Sequence, residues 1–230
     1  MDTDFFSRPP QNVPSLEGER YSLALRIPAQ IFSYVFHPLF IPVIATWYVA
    51  FIQAGYFTGI PYGEKIYILI RVAYNTIFFP AFTIILLKAL GFIDSIFLRT
   101  RRERIIPYIA ANIFYFWMYL VFRSQPEVPL ILTAFIFGIF LSSSFALLAN
   151  IYFKISMHAL GVGALLGLLL LVIFSGSSYG VFLPAMLIIL LTGFVCTSRL
   201  IVGNHTPFDI YSGILIGMVS QVIGYFFIGI

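Results

Sequence analysis

Long apolar runs separated by short polar stretches dominate this chain. Seven stand out, over residues 30–56, 66–92, 106–124, 128–152, 158–176, 180–200 and 208–230. Each is close to or above the roughly 20 residues an α-helix needs to cross a hydrocarbon core, and the roughly 10-residue alternation of a membrane barrel is absent. The pattern predicts an all-α, polytopic transmembrane helix bundle of about seven spans. Pro38 and Pro42 lie inside the first run, so the count falls to six if they break it short of a crossing. Residues 1–29 read as a polar N-terminal segment and 30–230 as a single transmembrane helical domain, with its chemistry concentrated at about 150–230. The polar segment lacks the apolar core and cleavage site of a signal peptide and is expected to stay on the chain.

The breaks between runs carry turn residues: Gly59 to Gly63 with Pro61, Arg123 to Pro129, and Ser175 to Gly180. Alternating crossings put the N-terminal segment, 93–105, 153–158 and 198–209 on one face. That face collects Arg8, Arg20, Arg26, Lys88, Arg99, Arg101, Arg102, Arg104, Lys154 and Arg199, against Lys65 and Arg123 on the other. Taken alone, the positive-inside rule makes the basic face cytoplasmic, but Lys and Arg that bind an anionic substrate raise the count without reporting topology, so the leaflet served stays open. Losing the first span would move the N-terminus across but keep the three later loops together.

Composition narrows the class. With 60% hydrophobic and 10% charged residues, against roughly 25% charged in soluble domains, a water-soluble fold is excluded. An integral membrane protein is expected, in a bacterial inner (plasma) membrane. The net charge of +4 resides in loops, where topology explains it without a nucleic-acid partner. Cys196, the single cysteine, sits in an apolar run and reads as a small buried hydrophobe.

Chemistry enters at Ser198-Arg199-Leu-Ile-Val-Gly203-Asn204-His205-Thr206-Pro207-Phe208-Asp209. Thr206 as N-cap, Pro207 at the first helical position and Asp209 as the acid of a capping box predict a helix start. His205 then lies just outside a helix N-terminus, where the partial positive charge favours an anion and a neutral imidazole. Two readings fit a lone His-x3-Asp: a helix cap beside a headgroup-facing ring, or a reactive imidazole oriented by a carboxylate. A second segment, Lys154-Ile-Ser156-Met157-His158, repeats the logic, with Ser156 as cap and His158 in the first turn. Gly161, Gly163 and Gly167 follow it and would allow close helix packing that brings the two histidines together. The third histidine, His37, precedes Pro38 and reads as structural or interfacial. Arg99, Arg102 and Arg104 belong to a basic loop that is either a headgroup anchor or a phosphate clamp, with Asp94 and Glu103 as its salt-bridge partners.

Ser198, Arg199, His205 and Asp209 stand at the spacing Ser-Arg-x5-His-x3-Asp and resemble the third signature of the type 2 phosphatidic acid phosphatase and vanadium haloperoxidase superfamily. Ser156 and His158 match the second signature, Pro-Ser-Gly-His, without its Pro and Gly. The first signature, Lys-x6-Arg-Pro, is poorly matched: aligning Pro107 puts Arg99 at the Lys and Ile106 at the Arg, with Arg102 one turn away. Two apolar runs also separate that loop from Ser156. The resemblance implies a phosphohistidine on His205, oriented by Asp209, with His158 as acid and then base. It implies phosphate binding by Arg199, Ser156, Lys154, Ser198 and one or more of Arg99, Arg102 and Arg104, with no metal and no cofactor. The expected function is hydrolysis of a lipid phosphate monoester or diphosphate such as a phosphatidate, phosphatidylglycerophosphate or polyprenyl diphosphate. A lipid phosphotransferase, and a non-catalytic lipid-phosphate-binding or transport protein, are the alternatives. The partners expected are the bilayer and the substrate lipid; the oligomeric state stays open.

Overall fold

A computed structural model describes residues 21–96, 98, 100–176, 180–203 and 205–229. The described residues are mostly helical, without strands. Nine α-helices follow one another: α1 (Leu23–Val35), α2 (Ile41–Trp47), α3 (Tyr62–Ala73), α4 (Phe79–Ala89), α5 (Arg101–Arg123), α6 (Leu130–Tyr152), α7 (Met157–Phe174), α8 (Phe182–Val202) and α9 (Pro207–Ile228). Wide π-type turns at Tyr48–Ile52 and Tyr74–Phe78 extend α2 and join α3 to α4. Seven helical segments are thereby long and apolar enough to cross a membrane, so the fold is an all-α, polytopic bundle.

Within the bundle, α6 and α7 are buried over most of their length, whereas α8 and the α3–α4 segment expose most of theirs. The exposed faces carry large apolar side chains such as Phe82, Ile85, Trp117, Leu187 and Phe226. Such a surface is stable against lipid and costly against water. The first segment runs from Leu23 to Ile52, and its 30 residues would make a straight helix of about 45 Å, longer than a core of about 30 Å. It is broken at Phe36–Pro38, as its prolines led one to expect, and a single 3₁₀ turn, Pro38–Phe40, restarts it. Its first helix begins at Leu23, seven residues inside the segment read as polar.

From Arg101 onward the basic stretch is helical rather than a loop. Thr100 caps α5 by accepting the Glu103 N–H at 3.3 Å, and Glu103 accepts the Thr100 N–H in return at 3.0 Å. Glu103 also takes the N–H groups of Asp94 and Ser95, at 3.0 and 3.1 Å. It therefore serves as a helix cap, and no salt bridge to it is found among the described residues. Arg101, Arg102 and Arg104 consequently occupy the first turn of a helix.

The pair α7 and α9 forms the closest contact in the bundle, and small residues make it so. A Cβ on Gly217 would collide with the backbone carbonyl of Leu160, and one on Gly163 with that of Ile214. With no apolar driving force between helices in lipid, such approaches gain dispersion contacts that larger side chains would prevent. Gly213 approaches the Ser156 carbonyl in the same way, which brings the N-terminal ends of both helices side by side.

Candidate functional site

The start of α9 follows the sequence. Thr206 accepts the Asp209 N–H at 3.3 Å, Asp209 Oδ2 accepts the Thr206 N–H at 2.9 Å, and Pro207 occupies the first helical position. One turn of helix then sets His205 and Asp209 on the same side, with Nδ1 to Oδ2 at 3.7 Å. That separation is longer than a hydrogen bond, and Nδ1 has no hydrogen-bond partner among the described residues. The carboxylate is thus committed first to the helix cap and stands within a small ring movement of the imidazole.

At α7, Ser156 accepts the Ala159 N–H at 3.4 Å as the N-cap, and His158 lies in the first turn. The Ser156 N–H donates to the backbone carbonyl of Asp209 at 3.2 Å. A single hydrogen bond therefore joins the two helix starts that carry the histidines.

A third element is stitched on from α5. Arg101 donates to the carbonyls of Ile151 and Tyr152 at the end of α6, at 3.1 and 3.0 Å, and Asn150 donates to the Arg101 carbonyl at 2.9 Å. This fastening brings Arg104 to the α6–α7 junction, where Nε donates to Leu98 at 3.0 Å and Nη1 to Ile155 at 3.1 Å. Arg104 is buried, and only part of its five-donor fork is used by those carbonyls.

These elements enclose a cavity of about 750 Å³. Its polar end is lined by His37, Arg104, Lys154, His158, Arg199 and His205. It extends between the helices past Ile41, Pro42 and Ala164 to Tyr115, Ser142 and Ser143. The polar end therefore continues into a mostly apolar stretch that carries the hydroxyl groups of Tyr115, Ser142 and Ser143.

The electrostatics of the chamber are one-sided. Arg104, Arg199 and Lys154 meet there with Asp209 as the acidic neighbour. Burial holds the Lys154 amine below its ordinary value, and the positive charges of Arg104 and Arg199 push the same way against Asp209. Burial is also the first cause of the lowered pKa of His205, brought to about 2, followed by Arg199, Arg104, Lys154 and His158. His205 is consequently a neutral imidazole at physiological pH. A cluster of partly desolvated cations with a surplus positive charge is stabilised by an anion, and Nε of Arg199 has no hydrogen-bond partner among the described residues.

The residues singled out from sequence thus separate. His205, His158, Arg199, Lys154 and Arg104 share the cavity wall, with Asp209 behind His205. Ser156 is fully buried as a helix cap, and Ser198 is buried on α8; neither lines the cavity. Arg102 is exposed at the start of α5 and also lies off the wall. Arg99 falls outside the described residues. His37, read as structural or interfacial, lies in the cavity beside His158, their ring centroids 5.5 Å apart. Its distance of more than a hundred residues from His158 left no local spacing that could have revealed the pair.

Compared with known proteins, the chain matches no family model, no curated protein and no solved structure.

Proposed function

We propose that the protein is an integral membrane lipid phosphatase of the type 2 phosphatidic acid phosphatase kind, serving a bacterial inner membrane. The observation that carries this reading is the joining of two histidine-bearing helix starts over one cavity with three converging cations. An anionic headgroup satisfies the cations, and the apolar extension accepts the part of the lipid that follows it.

The chemistry follows from which groups are neutral and which are charged. His205, neutral and with Asp209 on the Nδ1 side, attacks phosphorus through Nε2; an N–P bond forms as the bond from phosphorus to the lipid oxygen breaks. His158 takes up a proton from the monoanionic headgroup as it binds and passes it to the leaving oxygen. Water then attacks the phosphohistidine and gives a proton back to His158. The N–P bond breaks, its electron pair returns to His205, and inorganic phosphate leaves. Arg104, Arg199 and Lys154 stabilise the charge that grows on the phosphoryl oxygens in both steps. Asp209 closes the remaining distance to Nδ1–H as His205 gains positive character.

Two departures from the family pattern find a physical counterpart. Arg104 takes up a place in the cavity although the first signature is poorly matched. It reaches the site because Arg101 and Asn150 tie α5 to the end of α6 across the two intervening spans. The second signature's lost Gly leaves Met157 at the first position of α7, on the cavity wall.

The test is phosphate release by purified protein in liposomes from phosphatidate, phosphatidylglycerophosphate and a polyprenyl diphosphate, with and without chelator. Release that persists in chelator and is lost in His205→Ala and His158→Ala is the expected result. Variants that release phosphate as fast as the parent would contradict it. Transfer of the phosphoryl group to an added lipid alcohol without free phosphate would favour the phosphotransferase.

A further inference from the structure

The break in the first hydrophobic segment reaches the candidate site directly. A proline disfavours helical backbone at the residue before it, and His37 is accordingly extended, with φ −63° and ψ 140°. α1 therefore ends at Val35. In an unbroken helix the His37 N–H would donate to the Ser33 carbonyl four residues back, and the break leaves that carbonyl among the orphan acceptors of a helix C-terminus. Its partner is instead the imidazole of His158, with Nε2 3.0 Å from the Ser33 oxygen.

A carbonyl only accepts, so Nε2 of His158 must carry the proton and donate it, which leaves Nδ1 as the second, free nitrogen of the ring. The same segment braces the ring from the side. His37 caps the Pro38–Phe40 turn by accepting the Leu39 N–H on Nδ1 at 3.4 Å, and its ring stands nearly perpendicular to that of His158, at 80°. Just below, a Cβ on Gly161 of α7 would lie 3.1 Å from Ile41 and 3.5 Å from Pro38, so the segment packs tightly on the helix that bears His158.

We infer that the broken first segment is the positioning element of His158. The Ser33 carbonyl freed by Pro38 holds Nε2–H, and Nδ1 is thereby the nitrogen that takes a proton from the monoanionic phosphate headgroup as it binds, passes it to the leaving oxygen and recovers one from water. This rests on the phosphatase reading above. Ser33, His37 and Pro38 act through His158. The two histidines then work through opposite nitrogens: His205 attacks through Nε2 with Asp209 on its Nδ1 side, and His158 transfers its proton through Nδ1 with Ser33 on its Nε2 side.

The experiment is ¹⁵N NMR of histidine-labelled protein in detergent, joined to steady-state kinetics on phosphatidate. The three ring signals are assigned with His37→Asn and His205→Gln. The parent is expected to show neutral His158 as the Nε2–H tautomer. In Pro38→Ala the His37 N–H competes for the Ser33 carbonyl; the tautomers mix, and kcat falls about tenfold or more with KM little changed. An Nδ1–H tautomer in the parent overturns the inference, as does an unchanged tautomer in a Pro38→Ala protein with the parent's helix content. The parent's tautomer decides even if Pro38→Ala fails to fold. A parent that releases no phosphate from any lipid overturns the phosphatase reading and the proton's destination, while the tautomer separately decides how the ring is held.

Discussion

In the proposed reaction His205 faces two opposed demands, since it must be enclosed enough to meet a desolvated phosphate and yet stay unprotonated beside a carboxylate. Burial and the surrounding cations resolve them by depressing its pKa to about 2. The consequence for stability has a definite sign. Above about pH 6.5 the residue is neutral in both the folded and unfolded chain and has no effect. Below that, the unfolded chain binds a proton that the folded one excludes, so stability falls as pH drops from about 6.5 toward about 2. Thermal unfolding in detergent followed down this range is expected to show the loss, and His205→Gln to show less of it. The cations make a second, discriminating prediction. Lys154→Met removes a phosphate ligand and raises KM about tenfold, with a smaller effect on kcat, whereas Arg102→Gln leaves both within about twofold. Equal effects of the two substitutions on lipid-phosphate kinetics would show that the cavity wall does not select the ligands.

Among the elements, the α7–α9 contact bears the site, because the Ser156–Asp209 hydrogen bond exists only while those helices touch. Gly217→Ala places a methyl group against the Leu160 carbonyl and is expected to cost about 1–3 kcal/mol of stability, as overpacking does elsewhere. It should also lower kcat at temperatures where the variant remains folded; normal kcat with lowered stability would separate the contact from the chemistry. This element was legible in sequence at both ends. Thr206-Pro207-Phe208-Asp209 announces a helix start through its capping chemistry, and the glycines after His158 announce a close approach without naming the neighbour. Less legible was Thr100-x-x-Glu103, the same kind of capping signature, obscured by the four arginines around it. The seven apolar runs needed only counting, since lipid forces each backbone to satisfy its own hydrogen bonds within a helix. His37 could not be reached that way: its meeting with His158 depends on tertiary packing and on a helix break whose direction no local pattern specifies.

For the whole molecule, the account requires the ends of α1 and α7 nearest His158, the end of α8 and the start of α5 to share one side of the membrane. With Cys196→Ser as background, Asp94→Cys is expected to react with an impermeant thiol reagent from the side that also labels Thr206→Cys. Ser124→Cys should react only from the other. Labelling of Asp94→Cys and Thr206→Cys from opposite sides would break the arrangement. The central claim, that His205 carries the phosphoryl group, is tested most directly by quenching the protein during turnover of ³²P-labelled phosphatidate and mapping the label. The account predicts an acid-labile, base-stable phosphohistidine at residue 205, absent from His205→Ala. Release of phosphate with no label on His205 at any time of quench would contradict it.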